Sequence, residues 1–503
     1  MISPTQNAPE PGFAALDTGG LGGQPRGLTT LFFTEMWERF SYYGMRALLV
    51  LFMVAPVTAG GLGFDDKRAT MIYGNYVMSV FMLSIPGGFI ADNFLGARRS
   101  VLLGGIVIAC GHFALAFQSQ TTFFAGLVLI ALGTGLLKPN ISAMVGSLYS
   151  PVDQRRDAGF SIFYMGINIG ASVGGLLTGW LAQSIGFKEM LTQWGLNPNH
   201  SWHWGFAAAG VGMTLGLLVY AFRGASLAQV GLPPAADAPR PWGKAALIIA
   251  GTATFFVVVR VSDQDSYSWL RFLFLAVPIA VALWFSFKRD IESKRIAAIM
   301  VFSIAAMIFW AIFEQAGSSL SLFAERLTRD QFLGHSFPSS WFQSANPLYV
   351  MLLAPLFAWA WVKLGSRQAS SPLKFVLGLV FLGLSFVLMV PAARLTVEGR
   401  VSPLWLLGVY FLQTVGEMFL SPVGLSTMTK LAPPRLVGLV MGIWFLAAAL
   451  GNKLAGVLAG SFHSSDSVSL VTFFWQQALW VGGFTLVFFL LVPWLRKLMG
   501  GIR

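Results

Sequence analysis

The sequence predicts an all-α polytopic membrane protein. Of its 503 residues, 55% are hydrophobic and only 11% are charged, which excludes a soluble globular domain of this size. Long apolar runs recur along the chain, and polar or basic loops separate them. The only cysteine is Cys110, so no internal disulfide can form. The start of the chain is polar, rich in Gly and Pro and without a cleavable signal peptide, and we expect residues 1–27 to be a disordered tail.

Fourteen apolar spans are predicted, in groups of six, two and six. The first six cover residues 28–55, 70–91, 99–118, 121–147, 157–183 and 203–222. A linker rich in Pro and Ala, 224–242, leads into two shorter spans, 243–260 and 269–287. The last six cover 295–324, 341–364, 373–392, 402–430, 435–459 and 470–495. We therefore expect a six-helix bundle over 28–223, a linker and inserted helical hairpin over 224–290, and a second six-helix bundle over 291–503.

The distribution of basic residues predicts the orientation in the membrane. With this span count, 20 Lys and Arg residues lie in loops on the side of both termini, whereas 9 lie on the other side, close to acids. The positive-inside rule then places both termini in the cytoplasm. The same distribution accounts for the net charge of +12 without a nucleic-acid partner.

Residues 31–50 form an apolar span that also carries several charges. Its ionisable residues are Glu35, Glu38, Arg39 and Arg46. At about 100° per residue they share one narrow helical face with Tyr42. A charge at the bilayer centre costs about 2.5–3.5 kcal/mol on insertion scales, so this stripe needs pairing or a wet cavity. We interpret it as a substrate or ion pathway; the alternative is a neutralised polar contact between helices.

Four other spans carry isolated polar residues at depth. They are Lys138 and Asn140 beside Pro139, Tyr164 with Asn168, Trp310 with Glu314, and Glu417. Each alone is compatible with a structural ion pair, but together they distribute acids and bases over both halves. This distribution favours a site at the interface between the two bundles.

The arrangement of two six-helix bundles resembles the major facilitator fold. The segment that carries this resemblance is residues 87–99, GGFIADNFLGARR. There Asp92 at a helix end, with Arg98 and Arg99 after a glycine turn, would form a gating clamp that closes the cytoplasmic face when the protein is open to the outside. The alternative is an ordinary basic loop with a capping Asp.

Longer motifs are similar to those of the proton-dependent oligopeptide transporter (POT) family. The pattern from Glu35 to Gly44, ExxERFxYYG, matches a family signature, and the segments GLLKPN, FYMGINIG, FEQ, SANP and MGIWF match others. The resemblance covers the chain from residue 28 onwards. It implies a prokaryotic symporter that imports di- and tripeptides across the cytoplasmic (inner) membrane by alternating access. Protons would be the coupling ion, no cofactor would be needed, and we expect a monomer in the lipid bilayer.

The resemblance also implies a role for each matching residue. Arg39, Lys138 and Asn168 would hold the peptide carboxylate, and Glu417 with Asn346 would receive the peptide ammonium. The side-chain pockets would be lined by Tyr42, Trp310, Trp444 and Phe445. The proton-linked residues would be Glu35, Glu38 and Glu314, together with Arg39 and Lys138. Independently of the family, a zwitterion needs two opposed charged poles in its cavity.

One position departs from the family pattern. Family members often have a tyrosine near Phe81, so a hydroxyl contact there is in doubt, and Tyr73 and Tyr76 are candidate replacements.

Three alternative functions stay open at this stage. A carrier of nitrate or another small anion could use the same fold, although a deep carboxylate at Glu417 would repel an anion. A non-transporting membrane receptor and a membrane enzyme are the others. Against an enzyme, the five histidines are scattered without a metal constellation, and no phosphate-binding glycine loop is present. We expect His112, in an apolar span, to be packed and hydrogen-bonded to a neighbour.

Overall fold

The computed structural model describes residues 17–150, 153–235, 239–332, 334–464 and 466–502, which contain seventeen α-helices. The first bundle comprises α1 Arg26–Val54, α2 Asp66–Met82, α3 Ser84–Ile90, α4 Ala97–Leu115, α5 Gln120–Ser147, α6 Arg156–Gln183, α7 Ile185–Gln193 and α8 Ser201–Phe222. The inserted hairpin consists of α9 Trp242–Ser262 and α10 Leu273–Ser286. The second bundle comprises α11 Ile291–Phe313, α12 Ser319–Leu327, α13 Ala345–Leu364, α14 Ser371–Leu395, α15 Leu404–Leu431, α16 Val437–Ala459 and α17 Ser467–Leu498.

Thirteen helical segments among the described residues are long and apolar enough to cross a membrane. One of them runs from α2 through α3 to Leu95, and another runs from α11 through a 3₁₀ turn to the end of α12. The helix α1 is 29 residues long but is too highly charged for this group. The count of fourteen spans therefore stays a prediction. A short antiparallel pair of strands, Gln331–Phe332 with His335–Ser336, is a small addition to the predicted all-α fold.

Small residues set the packing of the first bundle. Its central helix α1 packs against α6 and α8. A Cβ at Gly170 would lie 2.0 Å from the Met36 carbonyl oxygen, and one at Gly174 would lie 2.3 Å from that of Phe40. Because a larger residue would clash at either position, the glycines allow α1 and α6 to approach backbone to backbone. This close contact fixes the rotation of α1 about its axis, and therefore the direction in which its charged face points.

Two seams join the bundles. In the first, α2 packs on α16; in the second, α6 packs on α13 and on the preceding 3₁₀ turn, Ser339–Ser344. The first seam is close at Gly74, where a Cβ would lie only 2.9 Å from the Gly456 Cα. Glycine at both positions therefore lets the two bundles touch backbone to backbone.

Hydrogen bonds and ion pairs connect the two bundles on one side of the molecule. We call the side that holds Asp17 and Ile502 the terminal face, and the opposite side the far face. Arg326 donates to both carboxylate oxygens of Asp66 at 2.6 and 2.7 Å, and Ser344 donates to the Ser172 carbonyl at 2.9 Å. Within the described residues, all hydrogen bonds and ion pairs between the bundles lie in the far half or near the middle. The structure is therefore a state closed at the far face.

The inserted hairpin lies over the α2–α16 seam. Val259 of α9 and Phe274 of α10 pack into one apolar cluster with Met78 of α2, Met307 of α11 and Leu450 of α16. The hairpin thus contacts both bundles.

The start of the described chain corrects part of the predicted tail. Residues 1–16 lie outside the described residues, but the segment that follows is held by hydrogen bonds. The Asp17 carboxylate accepts the backbone N–H of Arg26 at 2.7 Å, and this bond holds its pKa below the usual range. The Arg155 guanidinium donates to the Asp17 carbonyl at 3.1 Å. Both bonds hold this segment against the first bundle, and the first also satisfies a free N–H group at the start of α1.

His112 is fully buried in α4, but neither ring nitrogen has a hydrogen-bond partner among the described residues. The expected hydrogen bond is therefore wrong. Near this position α4 meets α5 through Gly111, whose neighbours are Ile130 and the carbonyl of Gly126. Backbone carbonyls within a helix are already engaged, so this contact supplies no free polar partner.

Candidate functional site

The charged stripe of α1 folds into a buried ion cluster. Arg39 Nε lies 3.1 Å from Glu35 Oε1, because residues four apart share a helical face, and it also pairs closely with Glu38. All three side chains are almost completely buried. Two carboxylates against one guanidinium leave an excess negative charge when all three are ionised. Glu35 Oε2, Glu38 Oε1 and Arg39 Nη2 have no hydrogen-bond partner among the described residues, so the cluster can still take up a proton and donate to a ligand.

Lys138 supplies a second positive charge on the first bundle. Its Nζ lies 4.1 Å from the centre of the Phe81 ring, and within the described part of the chain no carboxylate lies within ion-pair distance of it. The ring that replaces the expected tyrosine therefore holds the ammonium by a cation–π contact. Of the two candidate replacements, Tyr73 is engaged by Arg46, and the buried Tyr76 hydroxyl has no partner among the described residues.

Glu314 lies apart from the other two predicted proton-linked acids. It pairs with Arg46, whose Nε also donates to the Tyr73 hydroxyl at 2.6 Å. Arg46 and Arg39 are seven residues apart, which is about 10 Å along a helix. The three acids therefore form two groups. Glu35 and Glu38 lie within the first bundle, whereas Glu314 pairs with Arg46 and joins the two bundles toward the far face.

The second bundle contributes an acid of its own. The Asn346 amide on α13 donates to Glu417 Oε2 on α15 at 2.9 Å and to Thr414 Oγ1 at 3.0 Å. The sequence predicted that Asn346 and Glu417 act together, and the structure places them in contact. The Glu417 carboxylate, held by Asn346, is a negative pole on the second bundle.

Two tyrosines of the first bundle, Tyr43 and Tyr164, lie within electrostatic range of charged side chains of the second bundle. Tyr43 lies close enough for four charged side chains to act on its hydroxyl, namely Arg39, Arg46, Glu314 and Glu417. Tyr164, which is 41% exposed, lies near Tyr43 and Glu417. The Asn168 amide donates to the Tyr164 carbonyl at 2.9 Å and is buried behind it. Among the described residues, no group of His, Cys, Asp and Glu is placed to hold a metal ion.

The four predicted aromatic wall residues have different environments. Arg39 stacks on the Tyr42 ring at 5.3 Å, and Trp310 and Phe445 are half-buried. Trp444 is buried inside the second bundle, where a Cβ at Gly424 would lie 2.2 Å from its ring. This contact makes Trp444 part of the packing between α15 and α16.

The predicted clamp is not assembled in this state. Arg98 donates to the Ala228 carbonyl at 2.7 Å, and its N–H donates to the Gly231 carbonyl at 2.9 Å. Within the described chain, neither Arg98 nor Arg99 pairs with Asp92, which is exposed. The Arg98 guanidinium donates to the linker after α8 because a turn of the linker presents backbone carbonyls that can accept hydrogen bonds.

Sequence reasoning missed a buried cluster at the far half of the α2–α16 seam. Lys453 of α16 pairs with Asp263, and its ammonium also donates to Asn75 Oδ1 at 2.6 Å. The available signal was a lone lysine deep in an apolar span, which needs a partner.

Comparisons with known proteins show the family to which the chain belongs. Residues 98–478 match the model of the POT family. The chain is 41% identical over 497 residues to the uncharacterized transporter YclF of Bacillus subtilis (strain 168), with 96% of each chain covered. It is 39% identical over 509 residues to the peptide transporter YePEPT of Yersinia enterocolitica, again with 96% of each covered.

Solved structures give the same result. A crystal structure of a mutant of the peptide transporter POT in complex with alafosfalin has a TM-score of 0.84 and 40% identity, and the alignment covers 97% of this chain and 98% of that one. A POT family transporter in complex with 5-aminolevulinic acid has a TM-score of 0.81 and 31% identity, with 95% and 99% covered. The chain therefore belongs to the POT family, whose members are membrane transporters and not enzymes.

Proposed function

We propose that this protein is a proton-coupled symporter that imports di- and tripeptides across the cytoplasmic membrane by alternating access. The observation that carries the proposal is the presence of buried cations on the first bundle, Arg39 and Lys138, and of a buried carboxylate on the second, Glu417 with Asn346. Names of relatives add support, since the Yersinia protein is a peptide transporter and a Lactococcus lactis relative is a di-/tripeptide transporter.

The poles favour a zwitterionic solute. A peptide carboxylate can accept hydrogen bonds from Arg39 Nη2 and the Lys138 ammonium, both of which lack a hydrogen-bond partner among the described residues. A peptide ammonium can donate to Glu417, whose orientation is fixed by Asn346. Because both contacts involve the peptide termini, the side chains between them are free to vary. Nitrate fits less well, since it has no positive end to offer Glu417.

Proton coupling follows from the charge of the Arg39 cluster. When a peptide carboxylate accepts hydrogen bonds from Arg39, the guanidinium compensates less of the negative charge on Glu35 or Glu38. Both of these carboxylates are buried. The acid then binds a proton more readily, because burial disfavours an uncompensated carboxylate. Proton and peptide therefore stabilise the same occupied state, which is coupling by linkage. A membrane potential negative inside adds about 2.3 kcal/mol per 100 mV for each net charge that enters.

Alternating access is supported by the state of the far face. The bundles are tied there by Arg46 with Glu314 and by Arg326 with Asp66. With both termini in the cytoplasm, this state would be closed to the outside and would release solute inward. Opening to the outside requires both ion pairs to break.

Uptake by purified protein in liposomes tests the proposal. Labelled dialanine is offered with an imposed pH gradient, acidic outside, and parallel vesicles receive labelled nitrate. We expect dialanine to accumulate above its external concentration only when the gradient is present, and nitrate to remain at the level of empty liposomes. Gradient-driven nitrate uptake without dialanine uptake would favour the anion carrier, and the absence of any uptake alongside dialanine binding would favour a receptor.

A further inference from the structure

A buried polar cluster connects the inserted hairpin to both bundles. Asp263, at the C-terminal end of α9, pairs with Lys453 of α16 and accepts a hydrogen bond from the Asn75 amide of α2 at 3.0 Å. Lys453 in turn donates to Asn75 Oδ1 at 2.6 Å, so each of the three side chains contacts the other two. The Asp263 and Lys453 side chains are each 1% exposed. Arg271 lies farther out, with Nη2 3.8 Å from Asp263 Oδ1.

This cluster lies beside a close backbone contact of the α2–α16 seam. Asn75 follows Gly74, and Lys453 precedes Gly456 by one turn of α16, so the cluster is adjacent to the backbone contact between the bundles. Below it, Val259 and Phe274 of the hairpin extend the apolar cluster over both α2 and α16. The hairpin therefore covers the line along which the bundles would separate if the far face opened.

We propose that the hairpin α9–α10 is a clasp, in which Asp263 joins α2 to α16 and stabilises the state closed at the far face. The inference goes beyond peptide transport, because it concerns the balance between two conformations and holds for any solute.

The direction of the effect follows from what opening does to each contact. The hairpin packs mainly on the second bundle, through α10 on α11, so Asp263 and Lys453 move together. Asn75 belongs to the first bundle, and both of its hydrogen bonds break when the seam widens. If Asp263 loses its charge, Lys453 is left buried without its counter-ion in the closed state, whereas opening lets water reach it. Both changes favour the open state.

Distance measurements between spin labels at the far face test the clasp. The full-length protein is labelled at Glu189→Cys in α7 and at Glu398→Cys after α14, both exposed positions, in a Cys110→Ala background. We expect the unaltered cluster to give mainly the shorter distance. Asp263→Asn should raise the ratio of long to short distances about fivefold or more, within the usual range of conformational coupling. Asn75→Ala, which keeps the ion pair and removes only the bonds across the seam, should shift the ratio in the same direction.

Asp265→Asn is the matched control, because Asp265 lies in the same connection but is exposed and has no ion pair among the described residues. It should leave the distances unchanged. The clasp is refuted if Asp263→Asn and Asn75→Ala both give the distribution of this control, or if the control shifts as much as they do. Should Asp263→Asn fold poorly, Asn75→Ala carries the same test without a change of charge.

Discussion

Arg46 in α1 and Glu314 at the end of α11 form a buried ion pair that joins the two bundles. The pair depends on a bend in the second bundle, because Glu314 begins the 3₁₀ turn Glu314–Gly317 between α11 and α12. Arg46 also donates to Tyr73 on α2, so three helices meet at one guanidinium. A contact of this kind has two discrete states, formed and broken, and can therefore act as a gate.

Glu314→Gln should weaken closure of the far face. Removing one partner of a buried ion pair typically costs about 3–5 kcal/mol, because the other charge stays buried and uncompensated. We expect gradient-driven dialanine uptake to fall at least about tenfold, since the transporter would rarely reach the state closed at that face. Initial uptake rates in proteoliposomes measure this. Asp330→Asn is the control, as its ion pair with Arg400 is long and exposed; an equal loss there would contradict the assignment.

Gly317→Ala should disrupt the same gate without changing any charge. A Cβ at Gly317 would lie 1.9 Å from the Tyr73 hydroxyl oxygen, so the tyrosine must move away from Arg46. Overpacking of this kind costs about 1–3 kcal/mol. We expect a lower thermal unfolding temperature together with slower uptake. Gly251→Ala in α9, where a Cβ meets no atom within 4 Å, should unfold no earlier than the original protein.

Phe81→Leu tests the environment of Lys138. The ring lies 4.1 Å from the ammonium, and a desolvated cation–π contact is worth about 2 kcal/mol. Without the ring, Lys138 is free to turn toward Glu35 and Glu38 and becomes less available to a substrate carboxylate. We expect the KM for dialanine uptake to rise severalfold, and Phe81→Tyr to keep the original value. Phe64→Leu removes the contact with Arg68 outside the site, and a similar rise there would contradict the prediction.

Glu35→Gln and Glu38→Gln, made separately, test the basis of coupling. Each variant leaves Arg39 with one carboxylate, so the cluster is neutral and has no excess charge for a proton to compensate. We expect gradient-driven accumulation of dialanine to be lost, whereas exchange of internal for external dialanine continues. Both are measured in the same vesicles, with the exposed Glu189→Gln as control. If both variants still concentrate dialanine, the excess charge is not the coupling element.

The sequence predicted those features that depend on one helix at a time. The all-α membrane fold with long apolar helices follows from apolar length, and the shared face of Arg39 and Glu35, on which they pair, follows from their spacing of four residues. Family motifs also placed Asn346 with Glu417, although the two lie on different helices.

Contacts between elements far apart in the chain could not be predicted in the same way. The stripe of α1 placed Arg46 on the same helical face as Arg39, and nothing in a linear pattern shows that Arg46 pairs with Glu314, 268 residues away. The role of the hairpin was hidden for the same reason, because Asp263, Asn75 and Lys453 meet only when three elements pack together. Trp444 shows a limit of the family motifs. Its motif matches the family, but the match did not reveal that Trp444 packs against Gly424.

The most direct test of the two-pole site combines altered substrates with altered poles. Uptake of dialanine is competed with its N-acetylated and its amidated form, in the original protein, in Glu417→Gln and in Lys138→Gln. A hydrogen bond to a charged group contributes about 1.5–3 kcal/mol, or about tenfold to a hundredfold in affinity. We expect Glu417→Gln to lose discrimination against the acetylated form alone, and Lys138→Gln to lose it mainly against the amide. If both variants still discriminate against both forms as the original protein does, the poles do not bind the peptide termini.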